Sequence, residues 1–168
     1  SGYFRDPEKT RKAWGTLGID GWYNTEDLGR MDKEGYITLV GRTSDMILRG
    51  GQNVYPKEIE GVLSGHPKVA QVQVVPMPDK VLGEKCCAFV IPKKGQVCTF
   101  DEMVSFLGSK KLAKYKLPER LEVMQEFPML GDKVNKRMLG KIVAEKLLAE
   151  GVVTQRMVDK FREQGKII

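Results

Sequence analysis

The chain is poor in the residues that build metal centres. Its 168 residues include one histidine, His66, and three cysteines, Cys86, Cys87 and Cys98, with no C-x-x-C pair. That scarcity argues against a protein-bound metal. Adjacent residues of a strand point to opposite faces, so Cys86 and Cys87 are badly placed to bridge one another. Buried, reduced thiols in a cytoplasmic protein are the simpler expectation. No apolar run approaches the roughly 20 residues that span a bilayer, and no basic-apolar-small leader opens the sequence. Membrane residence is therefore not expected. The Ser1-Gly2 start, without methionine, reads as a piece trimmed from something longer.

Repeats and low-complexity tracts are missing too, and so is any G-x-x-x-x-G-K-[ST] or other Gly-rich phosphate loop. The net charge is +6, but lysines and arginines alternate with acids and the basic runs lack interleaved aromatics, which argues against nucleic acid as a partner. A basic surface still suits phosphorylated small molecules such as ATP or coenzyme A. What is present is ordinary: 41% hydrophobic and 30% charged residues, as in soluble globular proteins. The length fits one domain, or one and a piece, and roughly 70% of the unfolded chain's surface can be buried at that size.

The most informative stretch is residues 41–60, GRTSDMILRGGQNVYPKEIE. Met46, Ile47 and Leu48 form a strand core, and Gly50-Gly51 supplies the two positive-φ residues of a tight hairpin whose return strand is Gln52 to Tyr55. Pro56 suits the first position of a helix. Ile59, Val62 and Leu63 give that helix one buried face, and Gly65 and Pro67 stop it.

Elsewhere, Asp6 and Pro7 open a short helix over 5–14, broken by Gly15 and Gly18. Residues 21–29 are extended, with Trp22-Tyr23 as an apolar anchor. A turn over 32–35 leads to a strand over 36–40. Those strands make a ribbon too small to bury its own face. Alternation over 69–75 predicts a half-buried strand that Pro76-Met77-Pro78-Asp79 ends, followed by a second strand over 85–91. Thr99-x-x-Glu102 is a capping box for an amphipathic helix carrying Phe100, Met103, Val104, Phe106 and Leu107. A basic connector, 110–116, leads to a strand over 120–124 and then a loop. A helix over 137–149 follows, with Met138, Ile142 and Leu147 inward. Gly151 breaks it before one more short helix within 152–165. This order predicts an α+β fold: a small mixed sheet with packed helices, preceded by a β-ribbon.

The polar residues on this framework form three ordered motifs. Gly41-Arg42-x-x-Asp45, Gly50-Gly51 and Pro56-x-Glu58-Ile59-Glu60 resemble the hinge signature of the adenylate-forming enzymes. Residues 21–29, GWYNTEDLG, resemble that superfamily's aspartate motif, and residues 128–137, PMLGDKVNKR, its C-terminal lysine motif. The resemblance covers about residues 1–150. It implies the trailing edge of a large N-terminal domain over 1–44, a C-terminal lid domain over 45–150, and an extra helix over 151–168. Asp27 and Arg42 would then approach the ribose of ATP or AMP, as a carboxylate and a planar guanidinium can. Lys133 would be catalytic, its ammonium lowering the repulsion between carboxylate and α-phosphate. Asp45 would be the hinge, and Gly50 and Gly51 would line the pantetheine channel.

Two positions depart from the pattern: Glu26 and Asp132 stand where the family usually has glycine. The lysine motif also runs one residue short. The short motifs GEKCCA at 83–88, KLPER at 116–120 and RGG at 49–51 look most like the aryl-acid branch, typified by 2,3-dihydroxybenzoate–AMP ligase. The implied cofactors are ATP, with Mg2+ held mainly by the N-terminal domain, and coenzyme A or phosphopantetheine as thiol acceptor. The implied partners are the enzyme's own N-terminal domain and an acyl or aryl carrier protein. Lacking the phosphate loop and acyl pocket, the chain alone is expected to be inactive. The alternative is a free-standing, non-catalytic module that binds nucleotide or protein.

Overall fold

Local chemistry starts the first helix where it should. Asp6 Oδ1 accepts a hydrogen bond from the Lys9 N–H at 2.9 Å, and helix α1 runs Pro7–Gly15. The computed structural model describes residues 2–15 and 22–168, so the expected break at Gly18 and the start of the extended segment at Gly21 lie outside the described residues. The chain divides into two units, Ser1–Thr43 and Ser44–Ile168. In the first, strand β1 (Asp27–Met31) pairs antiparallel with β2 (Ile37–Arg42). Asp32 Oδ1 ties the turn between them by accepting from Glu34 and Tyr36 N–H groups. The ribbon leaves Met31, Tyr36, Ile37 and Leu39 exposed. Trp22 is exposed as well, so within this unit it anchors nothing, while Tyr23 sits edge-on to Trp14 with ring centroids 5.4 Å apart.

The second unit begins with β3 (Ile47–Arg49) and β4 (Gln52–Val54), an antiparallel hairpin. Gly50 and Gly51 have φ of +54° and +84°, the pair of positive angles that a two-residue turn of this twist requires. Helix α2 (Pro56–Leu63) follows with Pro56 at its start. Strands β5 (Val69–Asp79) and β6 (Gly83–Pro92) form a long antiparallel hairpin. Helix α3 (Phe100–Ser109) crosses to β7 (Arg120–Val123), which pairs parallel to β6. A small antiparallel hairpin, β8 (Met129–Leu130) and β9 (Lys133–Val134), leads into α4 (Lys136–Ala149) and α5 (Gln155–Glu163). The sheet order is β4-β3-β6-β5, with β7 beside β6. The sheet is mixed and carries helices on both faces, an α+β arrangement as the element order predicts.

Period-two alternation splits the core between those faces. Val74, Cys86, Ala88 and Val90 pack with Ile59, Leu63, Met103 and Leu107. Val75, Cys87 and Phe89 pack with Leu139, Val143, Leu147, Val158 and Phe161 on the other side. The last helix thus belongs to the core of the second unit. Cys86 and Cys87 are fully buried on opposite faces and all three thiols are free. Burial, with Glu119 nearby, pushes the Cys86 thiol up to about 12 from 9.0, and burial likewise raises Cys87 well above that value. A thiol raised on folding contributes stability that is complete below its unfolded pKa and is lost as pH rises toward the folded one. Thermal stability should therefore decline between about pH 9 and 12, and a Cys86→Ala/Cys87→Ala double variant should show a shallower decline over that range in melting curves.

Four sequence expectations need correction. Pro76 and Pro78 do not end β5. As the outer strand β5 pairs only with β6, and the Val74 N–H points outward to Glu60 Oε1 at 2.8 Å. Residues 76 and 78 share that outward parity, so their missing N–H groups leave the ladder intact. On α4 Leu147 is buried and Ile142 packs against the core as expected, but the centre of the buried stripe is Leu139, Gly140, Val143 and Ala144, with Met138 at its edge. Phe100 is 40% exposed, because it lies at the helix start, ahead of the buried Met103 and Leu107. The lysine motif is a paired hairpin rather than an open loop.

Candidate functional site

The three motifs build three local arrangements. In the first unit, Asp27 and Arg42 are directly opposite in the β1–β2 register. Arg42 Nε donates to Asp27 Oδ1 at 3.1 Å, with side chains 58% and 34% exposed respectively. So exposed a pair is worth about 0–1 kcal/mol. Both groups can therefore exchange their mutual contact for a ligand's hydroxyls at little cost, and the antiparallel pairing holds them side by side. Glu26, beside them, has φ of +61°. Its carbonyl accepts from the Thr43 N–H at 2.9 Å and the Thr43 hydroxyl at 3.2 Å. This left-handed position explains a glycine preference there, and Glu26 occupies it at a strain of about 1–2 kcal/mol.

In the second unit, Lys133 opens β9 directly after the turn Gly131-Asp132. Leu130 and Lys133 pair across that turn, and Gly131 carries the positive φ, +59°. A turn with glycine in its first central position asks nothing special of the second. Asp132 is therefore accommodated without strain. The Lys133 side chain is exposed and has no ion pair or hydrogen bond among the described residues.

Its neighbour Lys136 is different. Lys136 Nζ lies 2.8 Å from Glu60 Oε1 and 3.9 Å from Asp45 Oδ2. Other lysines are held as well: Lys116 by Glu58 at 2.7 Å, Lys85 by Asp79 at 2.7 Å, Lys68 by Glu102 at 2.8 Å. Glu102 makes only half of the expected capping box: its N–H donates to Thr99 Oγ1 at 3.4 Å, while its carboxylate is bound to Lys68.

Asp45 closes the short 3-10 turn Thr43–Asp45, one residue inside the second unit. Its carboxylate is half-buried beside Lys136, and a small cavity of 60 Å³ at this root is lined by Ser44, Asp45, Lys136, Arg137 and Lys166. The Gly50-Gly51 turn is pinned at its base. Arg49 Nε meets Glu119 Oε1 at 2.5 Å, and Glu119 Oε2 also accepts from the Cys86 N–H at 2.9 Å. Gly51 borders a groove of 540 Å³ lined also by Leu48, Val81, Leu82, Lys160 and Phe161. A Cβ at Gly50 would meet only the movable end of the Leu82 side chain, at 2.8 Å from Cδ2, so it is the positive φ of +54° that calls for glycine there. The Asp27–Arg42 pairing, the Lys136–Glu60 pair and the Glu119 anchor escaped sequence reasoning. For the first of these, the opposite charges at the two ends of a predicted ribbon were the available signal. Among the described residues, no group of three or more acidic, histidine or cysteine side chains could hold a metal ion.

Residues 58–132 match the family model described as the AMP-binding enzyme C-terminal domain. The chain is 41% identical over 148 residues to a medium-chain fatty-acid–CoA ligase of Escherichia coli, covering 87% of this chain and 26% of that protein. It is 40% identical over 149 residues to a 2,3-dihydroxybenzoate-AMP ligase of Bacillus subtilis, covering 88% and 27%. Among solved structures, ATP-bound MatB from Rhodopseudomonas palustris superposes with a TM-score of 0.73 at 32% identity, covering 88% of this chain and 28% of that one. The chain thus spans about a quarter of the length of the curated relatives it matches.

Proposed function

Because this chain belongs to the adenylate-forming enzymes, of which it carries the C-terminal domain, we propose that it is the moving lid of a ligase that activates a carboxylic acid with ATP. In the first half-reaction a carboxylate oxygen bonds to the α-phosphorus as the bond to the bridging oxygen breaks, and pyrophosphate leaves with the electron pair. Two anions must meet, so a cation placed between them lowers the barrier most in the transition state. Lys133 is that cation. The observation that carries this assignment is its lack of any structural partner among the described residues, where Lys136 is bound to Glu60.

Asp27 and Arg42 take the ribose hydroxyls. In the second half-reaction a thiol sulfur attacks the acyl carbonyl and AMP departs, while the Gly50-Gly51 turn offers the thiol's arm a path without side chains. The Mg2+ that accompanies ATP belongs to the rest of the enzyme. The acceptor is coenzyme A or a carrier protein's phosphopantetheine, in the cytoplasm; no helix among the described residues is long and apolar enough to cross a membrane.

The finer proposal, an aryl acid as substrate, rests on the short motifs around Arg49, Glu84 and Lys116. Those side chains are bound within the fold, to Glu119, Leu48 N–H and Glu58. What supports the aryl reading is thus the resemblance of the motifs, not a contact of these side chains with substrate. Acid-dependent exchange of pyrophosphate into ATP tests the reading. The 168-residue chain should give none, since it lacks a phosphate loop, whereas the complete enzyme should exchange with its preferred acid in a panel of aryl and medium-chain acids. Robust exchange by the chain alone would overturn the lid assignment.

A further inference from the structure

Strand β3 carries the chain out of the Thr43–Asp45 turn, and its ladder is finished by side chains. On one side it pairs with β4. On the other it meets β6 at one position, Arg49 opposite Gly83, with the Gly50 N–H donating to the Leu82 carbonyl at 2.9 Å. Farther along, that edge of β6 pairs with β7 instead. Two backbone groups on this side, the Leu48 N–H of β3 and the Met46 carbonyl just before it, are met by side chains instead of strands. Glu84 Oε2 accepts from the Leu48 N–H at 2.8 Å, and Lys166 Nζ donates to the Met46 carbonyl at 2.6 Å. Lys166 and Glu84 lie 3.5 Å apart, with side chains 16% and 10% exposed.

The tail that delivers Lys166 is firmly seated. Ile167 is 3% exposed in the core. A Cβ at Gly140 would come within 3.0 Å of Ile167 Cγ2 and 3.2 Å of the Lys166 carbonyl, so α4 is open just where the tail crosses it. A segment outside the three motifs thus reaches back 120 residues to hold the backbone one residue after Asp45.

We propose that Lys166 is a positioning residue: with Glu84 it clamps β3 up to Met46, so that the lid's rotation is confined to the turn ending at Asp45. This rests on the reading of the chain as a rotating lid. Without the clamp, Met46 to Leu48 share the rotation, and the two poses are no longer set sharply. The test uses Lys166→Met in the complete enzyme, which keeps the aliphatic stem and removes the ammonium. Amide hydrogen exchange at Leu48 and Arg49 should accelerate about tenfold, the effect of losing one charge-assisted hydrogen bond, with Val74 and Val75 unchanged. The ratio of acyl-AMP formation to thioester formation should shift by about the same factor, and Lys166→Arg should restore both. Unchanged exchange, or faster exchange with an unchanged ratio, overturns the clamp. If Asp45→Pro separates the half-reactions while Lys166→Met does not, the clamp alone fails. If Asp45→Pro affects both equally, the rotation reading itself fails.

Discussion

Replacing Lys133 by alanine in the complete enzyme should slow acyl-AMP formation by about 10²–10³-fold, the usual loss when one preorganised charge contact in a transition state is removed. Thioester formation from supplied acyl-AMP should be nearly unchanged. The asymmetry follows from where charge accumulates: only the first half-reaction brings a carboxylate against a triphosphate. The hairpin suits the task, because a two-residue turn closed by the Leu130–Lys133 pair fixes the backbone while the side chain stays exposed. Lys136→Ala is the informative control. Its ammonium is held by Glu60, whose carboxylate also caps the Val74 N–H. That substitution should therefore lower the melting temperature rather than act selectively on adenylation. Pyrophosphate exchange and single-turnover thioester formation, measured on each variant, separate the two. Equal loss of both half-reactions in Lys133→Ala would make Lys133 structural.

The second large effect is expected at Asp45. If the proposed function holds, two half-reactions with different partners would require the lid to present Lys133 in one pose and Gly50-Gly51 in another. A rotation of that kind is absorbed by a few dihedrals at an element boundary. Asp45 ends the 3-10 turn and β3 begins at Ile47. From Met46 onward the backbone is held by Lys166, Glu84 and β4. On the other side of the turn, Thr43 is bonded to the Glu26 carbonyl. Ser44 and Asp45, in the 3-10 turn, lie between these two anchored points. Proline at 45 fixes φ near −65° and biases Ser44 away from helical angles. Asp45→Pro should therefore leave one half-reaction nearly intact and cripple the other. Asp45→Ala removes the carboxylate, only 3.9 Å from Lys136, while keeping backbone freedom, and should spare both.

Features set by near neighbours in sequence were legible. Gly50-Gly51 announced a positive-φ turn, Pro56 a helix start, and the Cys86-Cys87 pair two opposite faces of a strand. Each depends on φ/ψ preference or on period-two geometry, which a short window contains. The structure departed from the sequence reading where a distant partner decides. Pro76 and Pro78 continue a strand because β5 is the outer strand, a fact fixed by where β6 and β3 pair. The stripe on α4 is set by the core it meets and by the tail crossing Gly140. The motif singled out Lys133, but nothing local showed that Lys136 is tied up, because its partner Glu60 lies 76 residues away. The clamp at Met46 has no local signature at all.

The most direct test of the account is the ratio of the two half-reaction rates in Asp45→Pro, each measured separately on one preparation of the complete enzyme with its melting temperature recorded alongside. A lid that turns at Asp45 predicts a normal melting temperature with one rate close to that of the unsubstituted enzyme and the other severely reduced. Equal reduction of both rates at a normal melting temperature, or no reduction in either, would contradict it.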